Sequence, residues 1–310
     1  MTSSNNKAVE NRTRVKPKKK QSQWVDIWRR LRRNPVGMVG LAIVMLLILT
    51  AIFADIISPA IYDPVFGINI PAYQFQDLTN RNAFPNSENF FGTDNFGRDI
   101  FDRVIHGSRI SLIVGFVVVG ISMVAGVILG TIAGYYGKII DSVIMRIMDI
   151  LLAIPFILLA ISIAAAMGAG LVNAMIAIGI VNIPFFARQV RSSVISVREQ
   201  EFIEAAKAVG TKDFRIMFRH ILPNCMAPII IRATMGLASA ILSAAALSFI
   251  GLGIEPPTPE WGAMLSDGQR FIRDYWQMTL FPGLAIALVV FGINMLGDGL
   301  RDALDPKLKR

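Results

Sequence analysis

Cysteine is almost missing from this chain. Cys225 stands alone among 310 residues, so no intrachain disulfide can staple an extracellular fold. No Gly-x-x-x-x-Gly-Lys-[Ser/Thr] phosphate loop occurs, so the chain is expected neither to bind nor to hydrolyse ATP. No Ser/His/Asp arrangement and no paired-carboxylate constellation recurs, which leaves no candidate catalytic residue. His220 is not read as a metal ligand or proton relay, since no full ligand set accompanies it; no metal or cofactor site is expected. Nucleic acid is excluded on similar grounds: the net charge of +9 includes one loose basic tail, Arg12 to Lys20, without interleaved aromatics.

What the chain has in excess is apolar sequence. Hydrophobic residues make up 54% of it and the mean hydropathy is +0.53, above the level of ordinary soluble domains. The excess falls into six candidate membrane spans, at about 36–57, 108–134, 143–166, 171–190, 227–250 and 278–297. An all-α integral membrane protein with six transmembrane helices follows. Tyr135-Tyr136-Gly137-Lys138 makes a tight hairpin of the second and third spans. Asn173, Asn182 and Pro184 interrupt the fourth, which is therefore expected to face other helices rather than lipid.

Charge sets the organisation and orientation. Residues 1–21 read as a disordered basic tail, and the first apolar run starts too late and is too long for a cleavable signal. Residues 22–57 hold an interfacial helix and the first span. Trp24, Ile27, Trp28 and Leu31 share one face of that helix, with Arg29, Arg30, Arg32 and Arg33 off it. An extracytoplasmic loop at 58–107 precedes a five-helix core at 108–300, and 301–310 form a tail. Lys and Arg cluster before the first span, in the loop at 191–226 and at the C-terminus, which places both termini and that loop in the cytoplasm. Small residues recur at every fourth position in two spans: Gly126, Gly130 and Gly134, then Gly236, Ala240, Ala244 and Ser248. Such stripes allow close helix packing in lipid. Ionisable residues within the spans must be paired, buried or snorkelling, and Arg146 with Asp149 is the natural pair; Arg232 and Asp298 are others.

The loop at 191–226 carries the most information. Phe202, Ala205, Ala206 and Val209 define one apolar helical face, and Gly210 suits a left-handed C′ position. Thr211 is placed to cap a second short helix with Asp213 in its first turn. Phe214, Met217, Phe218 and Ile221 make its apolar stripe, and Pro223 ends it. Two such short helices need a docking surface, which their own bundle or a partner protein could equally supply.

The string Glu204-Ala205-Ala206, Gly210 and Leu222-Pro223 resembles the EAA loop of ATP-binding-cassette importer permeases, departing from it only at His220, where the family usually has isoleucine. A second likeness lies before the second span, in Gly92-Thr93-Asp94, Gly97-Arg98-Asp99 and the residues to Arg109. Others are Pro256-Pro257-Thr258-Pro259-Glu260-Trp261-Gly262 and the tail from Gly297 to Pro306. Together these resemble the C-type subunit of dipeptide, oligopeptide and nickel permeases. Read physically, the outer string is a capped turn with Thr93 or Asp94 as cap. It also offers two i,i+4 pairs, Arg98 with Asp102 and Asp99 with Arg103.

The resemblance implies a bacterial inner-membrane, multi-pass translocation subunit of an ATP-driven importer, with peptide favoured over nickel because the spans offer few metal ligands. It implies a second homologous permease, two ATP-hydrolysing subunits that bind ATP and Mg, and an extracytoplasmic binding protein facing the loops at 58–107 and 251–277. It further implies that Glu204, Ala205, Ala206, Gly210, Phe214, Leu222 and Pro223 couple to an ATPase subunit. A self-sufficient secondary transporter is the competing class. It wants a chain of ionisable groups at mid-depth, which is not seen. The substrate path is left open: Ser122, Ser162, Asn173, Asn182, Ser243 and Ser248 are polar enough, but helix–helix hydrogen bonds explain each equally well.

Overall fold

The computed structural model describes residues 23–63, 67–254 and 257–304. The expectations for the 1–21 tail, Pro256 and the last six residues fall outside these, as does the side chain of Trp24. A first helix, α1 (Gln23–Leu31), turns Leu31 inward between Gly37 and Gly299 and leaves Trp28 half exposed. Asn34 then caps α2 (Pro35–Ile52), accepting from the Gly37 amide at 3.0 Å, with Pro35 in the first turn, where no amide donor is needed. Gly40 lets α2 lie directly on the backbone of the last helix. A short α3 (Ala54–Ile57) and an antiparallel hairpin, β1 (Ile61–Asp63) with β2 (Ile68–Ile70), follow.

Ile100–Tyr136 forms α4, a single helix of 37 residues. It starts well before the expected 108 because its cap is Asp99, whose carboxylate accepts from the Phe101 and Asp102 amides at 2.6 and 3.3 Å. Neither Thr93 nor Asp94 caps it. Gly137, at φ 67°, turns the chain into α5 (Lys138–Ala153), and α6 (Phe156–Met167) comes next. These two helices meet at 93°, so the expected third span is a bent pair rather than one rod. The cause is Pro155, which holds Ile154 in extended backbone (φ −88°, ψ 132°). With that pair taken as one span, the described residues hold the expected six helices long and apolar enough to cross a membrane.

The fourth span corrects the reading in the opposite sense. Leu171–Arg198 is one continuous helix, α7, despite Pro184 within it. Asn182 does not break it, because its side chain turns back to donate to the Ile178 carbonyl at 3.0 Å. Asn173 likewise donates to the Met167 and Gly168 carbonyls that close α6. As expected, this is the most enclosed of the five unbent spans among the described residues. Gly126, Gly130 and Gly134 of α4 lie against Phe186, Ala187, Arg191 and Val194 of α7. A Cβ at Gly130 would come within 2.5 Å of the Ala187 carbonyl.

Three further helices complete the bundle: α10 (Met226–Phe249), α11 (Trp261–Gln269) and α12 (Gln277–Leu304). Between α7 and α10 stand α8 (Glu201–Ala208) and the single turn α9 (Asp213–Arg215). One apolar cluster joins α4, α6, α7 and α10. A second joins α2, α4, α10, α11 and α12, and a third lies under the segment between α7 and α10. Ala240 and Ala244 of the second small-residue stripe are buried in the first cluster, whereas Gly236 borders an open cavity.

Candidate functional site

The segment between α7 and α10 is anchored by Ile203 and Ile216, beside the predicted stripes, and by Met217 and Ile221, which belong to the second of them. In α8 the fully buried residue is Ile203, which packs with Val190, Val194, Ile216 and Ile221. Anchoring at Ile203 rotates the expected face outward. Ala206 is half-buried, Phe202, Ala205 and Glu204 are exposed, and Val209 is 81% exposed. After α8, the Gly210 and Thr211 amides donate to Lys207 and Ala206 carbonyls at 2.9 and 3.1 Å, which is a Schellman closure. Gly210 takes φ +78°, and a Cβ there would meet nothing within 4 Å. Because Thr211 belongs to that closure, it does not cap α9; Lys212 occupies the cap position without a side-chain bond.

Nor does Pro223 end the second helix. From Arg215 the chain winds through a π turn (Ile216–Ile221) and a 3-10 turn (Leu222–Cys225) directly into α10. Proline falls in the first 3-10 turn, where its missing amide leaves no bond unmade. Ile216, Met217 and Ile221 face inward, Leu222 is half-buried and Pro223 is exposed. Phe214 and Phe218 point outward, 69% and 49% exposed, with ring centroids 4.4 Å apart. The outcome is an outward apolar patch on this segment, Phe202, Val209, Phe214 and Phe218 being exposed along with Glu204 and Gly210.

This patch is bolted to the α4–α5 turn. Tyr135 donates its hydroxyl to Asp213 at 2.6 Å, and Lys207 lies 5.6 Å over the Tyr135 ring. Arg198 donates to the Gly134 and Tyr135 carbonyls at 3.1 and 2.9 Å, satisfying groups that the end of α4 leaves open. Arg191 grips Asp141 with both arms of its guanidinium, and Arg188 pairs with Asp149. The expected Arg146–Asp149 pair is therefore replaced, because α7 brings a cation closer to Asp149 than the adjoining helical turn does.

At the other end of α4 the two long connections lock together. Both expected i,i+4 pairs fail there, because Arg98 precedes the helix and Asp99 is its cap. Arg98 instead bonds Asp94 at 2.7 Å, Arg103 approaches the same carboxylate at 3.7 Å, and Asp267 of α11 lies 4.0 Å from Arg98. Asp94 also accepts from the Phe96 and Arg98 amides. Arg103 reaches the Pro257 carbonyl, Trp261 donates to that of Val104, Gln277 to that of Ala83, and Phe91 stacks on Phe281 at 3.9 Å. Gly92 and Gly97 both sit at positive φ against backbone, where a Cβ would collide with Ala83 and Asp77 carbonyls. Thr93 is fully buried and donates to the Asn80 carbonyl. Burial, with Asp102 nearby, pushes the Asp99 carboxyl up to about 6, and burial also raises Asp267. Arg109 holds Asp55 below the usual carboxylate range.

A cavity of about 250 Å³ opens between α4, α6, α7 and α10. It gathers three of the polar residues left open by the sequence, Ser122, Asn182 and Ser243, and adds Arg232 and Ser239. Ser162 and Asn173 lie outside it and donate to backbone carbonyls, as Ser122 and Asn182 also do within it. Residue spacing could have flagged the cavity, since Arg232, Gly236, Ser239 and Ser243 are separated by four, three and four positions, one helical face.

An apolar helical bundle with a rigid polar cap at one end and an exposed, bundle-anchored helical patch between two spans defines a transport permease. Residues 126–310 match the family described as binding-protein-dependent transport system inner membrane component, and residues 22–85 match the N-terminal transmembrane domain of oligopeptide transport permease C. The chain belongs to the binding-protein-dependent transport system inner membrane component family, as a permease component rather than a catalytic subunit. It is 54% identical to the dipeptide transport system permease protein DppC of Alkalihalophilus pseudofirmus, over 93% of this chain and 91% of that one. It is 44% identical to the di/tripeptide transport system permease protein DppC of Pseudomonas aeruginosa, over 92% of each. The glutathione transport system permease protein GsiD of Escherichia coli is 46% identical, over 95% of this chain and 94% of that one. In fold, the chain is similar to the inward-facing MetNI methionine ABC transporter. That match has a TM-score of 0.55 at 21% identity and covers 66% of this chain and 96% of the other.

Proposed function

We propose that this chain is the translocation subunit of an ATP-driven importer of short peptides. Its patch between α7 and α10 would dock on an ATP-hydrolysing subunit and pass that subunit's movement into the bundle. The carrying observation is the outward apolar quartet of Phe202, Val209, Phe214 and Phe218. Its aromatic and aliphatic side chains stay uncovered although the same segment buries Ile203, Ile216 and Ile221. Peptide cargo is supported by the named cargos of the relatives, and by a cavity lined by a cation and hydroxyls, which suits an anionic or zwitterionic solute better than nickel.

In this reading Glu204 offers a carboxylate to a partner donor, while Ala205, Ala206 and Gly210 permit close approach. Leu222 and Pro223 stiffen the junction with α10. Arginines near the patch support a cytoplasmic side for it and for both termini. A second homologous permease supplies the other half of the path, and the loops at 58–107 and 251–277 face the binding protein.

Phe214→Glu tests the docking role, since Phe214 is too exposed to matter to the bundle itself. Uptake by the assembled transporter is expected to fall at least about tenfold, equivalent to roughly 1.4 kcal/mol of docking energy. Co-purification of the ATPase subunit should weaken in parallel. Wild-type uptake and co-purification would rule the patch out as the docking site.

A further inference from the structure

The cavity between α4, α7 and α10 contains a cation without a counter-charge. Among the described residues, Arg232 has neither a hydrogen-bond nor an ion-pair partner, and its buried Nε is unsatisfied. Its contacts are the faces of Phe185 and Phe186, at 5.3 and 5.9 Å from the ring centroids. No carboxylate lines the cavity. A charged side chain at the centre of a membrane span costs about 2.5–3.5 kcal/mol, so an unpaired one partway into a span is a candidate functional position. Arg232 lies six residues into α10, roughly 9 Å along the helix from its start.

The Ser122 hydroxyl is spent on the Val118 and Val119 carbonyls, but other polar groups around Arg232 keep bonding capacity. Asn182 uses its amide nitrogen on the Ile178 carbonyl, which leaves its oxygen as a free acceptor. Ser239 is exposed on α10, and Ser243 lies one turn further along the same face. An exposed serine and an arginine on one stripe of a membrane helix face water or a solute rather than lipid. At about 250 Å³ the space is slightly smaller than ordinary small-molecule pockets of roughly 300–1,000 Å³, as suits one wall of a shared passage.

We infer that Arg232, with Asn182, Ser239 and Ser243, forms a transit site for the carboxylate-bearing end of a passing peptide. This rests on the peptide-import reading above and adds to it the residues that meet the cargo. The guanidinium takes the carboxylate through charge-assisted hydrogen bonds, while the two phenyl faces hold it in place without neutralising it. Asn182 and the serine hydroxyls accept from the amide and ammonium groups behind. Because these partners are few and open, the carboxylate is held without being trapped, as a site on a path requires.

The test uses the complete transporter in proteoliposomes, with labelled dialanine as cargo. Arg232→Gln is expected to lower dialanine imported per ATP hydrolysed by about tenfold, the order of a lost charge-assisted contact. Arg232→Lys, which keeps the charge but not the fork, should restore part of it. In a second arm, Ser239→Cys is labelled with a thiol reagent. Dialanine with the binding protein and ATP should slow that labelling, and should no longer do so when Arg232→Gln is added. If the wild type imports dialanine and Arg232→Gln imports it equally well, the transit site is overturned and the peptide reading stands. It is also overturned if Arg232→Gln lowers the yield of assembled complex but leaves uptake per complex unchanged, since Arg232 would then pair with the second permease. A wild-type complex that imports no dialanine overturns both readings.

Discussion

At the scale of single residues, the polar cap at the head of α4 is organised by which carboxylate does what. Asp94 gathers Arg98 and Arg103, leaving Asp99 to cap the helix in a largely dehydrated position. Burial raises the folded pKa of Asp99 to about 6, above its ordinary 3.8. Folding therefore favours the protonated form. The associated stability is full below about pH 4 and is lost as pH rises through about 6. Amide exchange in residues 92–103 is expected to slow as pH falls across that window, after correction for intrinsic exchange. Asp99→Asn, which can still cap, should flatten the dependence; an unchanged profile in that variant would assign it to another group. The cap residue was not legible in advance. Thr93, Asp94 and Asp99 are all acceptable capping types, and only the depth of the turn selects among them.

At the scale of elements, the decisive contact is α4 on α7. The glycine stripe announced close packing, but not its partner. Gly130 meets the Ala187 carbonyl, so a methyl group there forces backbone apart, whereas Gly120 on the same helix has nothing within 4 Å. Gly130→Ala is expected to lower thermal stability in detergent by about 1–3 kcal/mol. Gly120→Ala should be neutral or stabilising by up to about 1 kcal/mol. Equal behaviour of the two variants would mean that α4 and α7 do not meet along this stripe. The same pair of spans shows why proline could not be read by position alone. Pro155 ends α5 because Ile154 is held extended, yet Pro184 continues α7 because neighbouring helices enclose it.

At the scale of the whole molecule, α4 makes a link, tied at its end to the segment that carries the patch and lining the cavity further along. Tyr135 is its joint: the end of α4 holds the first turn after Gly210 through a bond to Asp213. Tyr135→Phe keeps the ring under Lys207 and removes only that bond, at a cost of about 1.5–3 kcal/mol to the junction. Cargo moved per ATP hydrolysed is expected to fall severalfold in reconstituted transporter while ATP hydrolysis persists. An unchanged ratio would take the bond out of the transmission path. What the sequence determined by itself is whatever follows from composition along the chain. That covers the apolar spans, the polar segment between two of them with its Gly210 break, and the absence of a phosphate-loop motif. Hydrophobicity, glycine at positive φ and motif chemistry are local. Tertiary structure alone decided which face of α8 is buried, which arginine finds which aspartate, where a proline bends the chain, and that Arg232 has no partner among the described residues. Each of these depends on what another helix brings to within a few ångströms, and no periodicity within one segment contains that information.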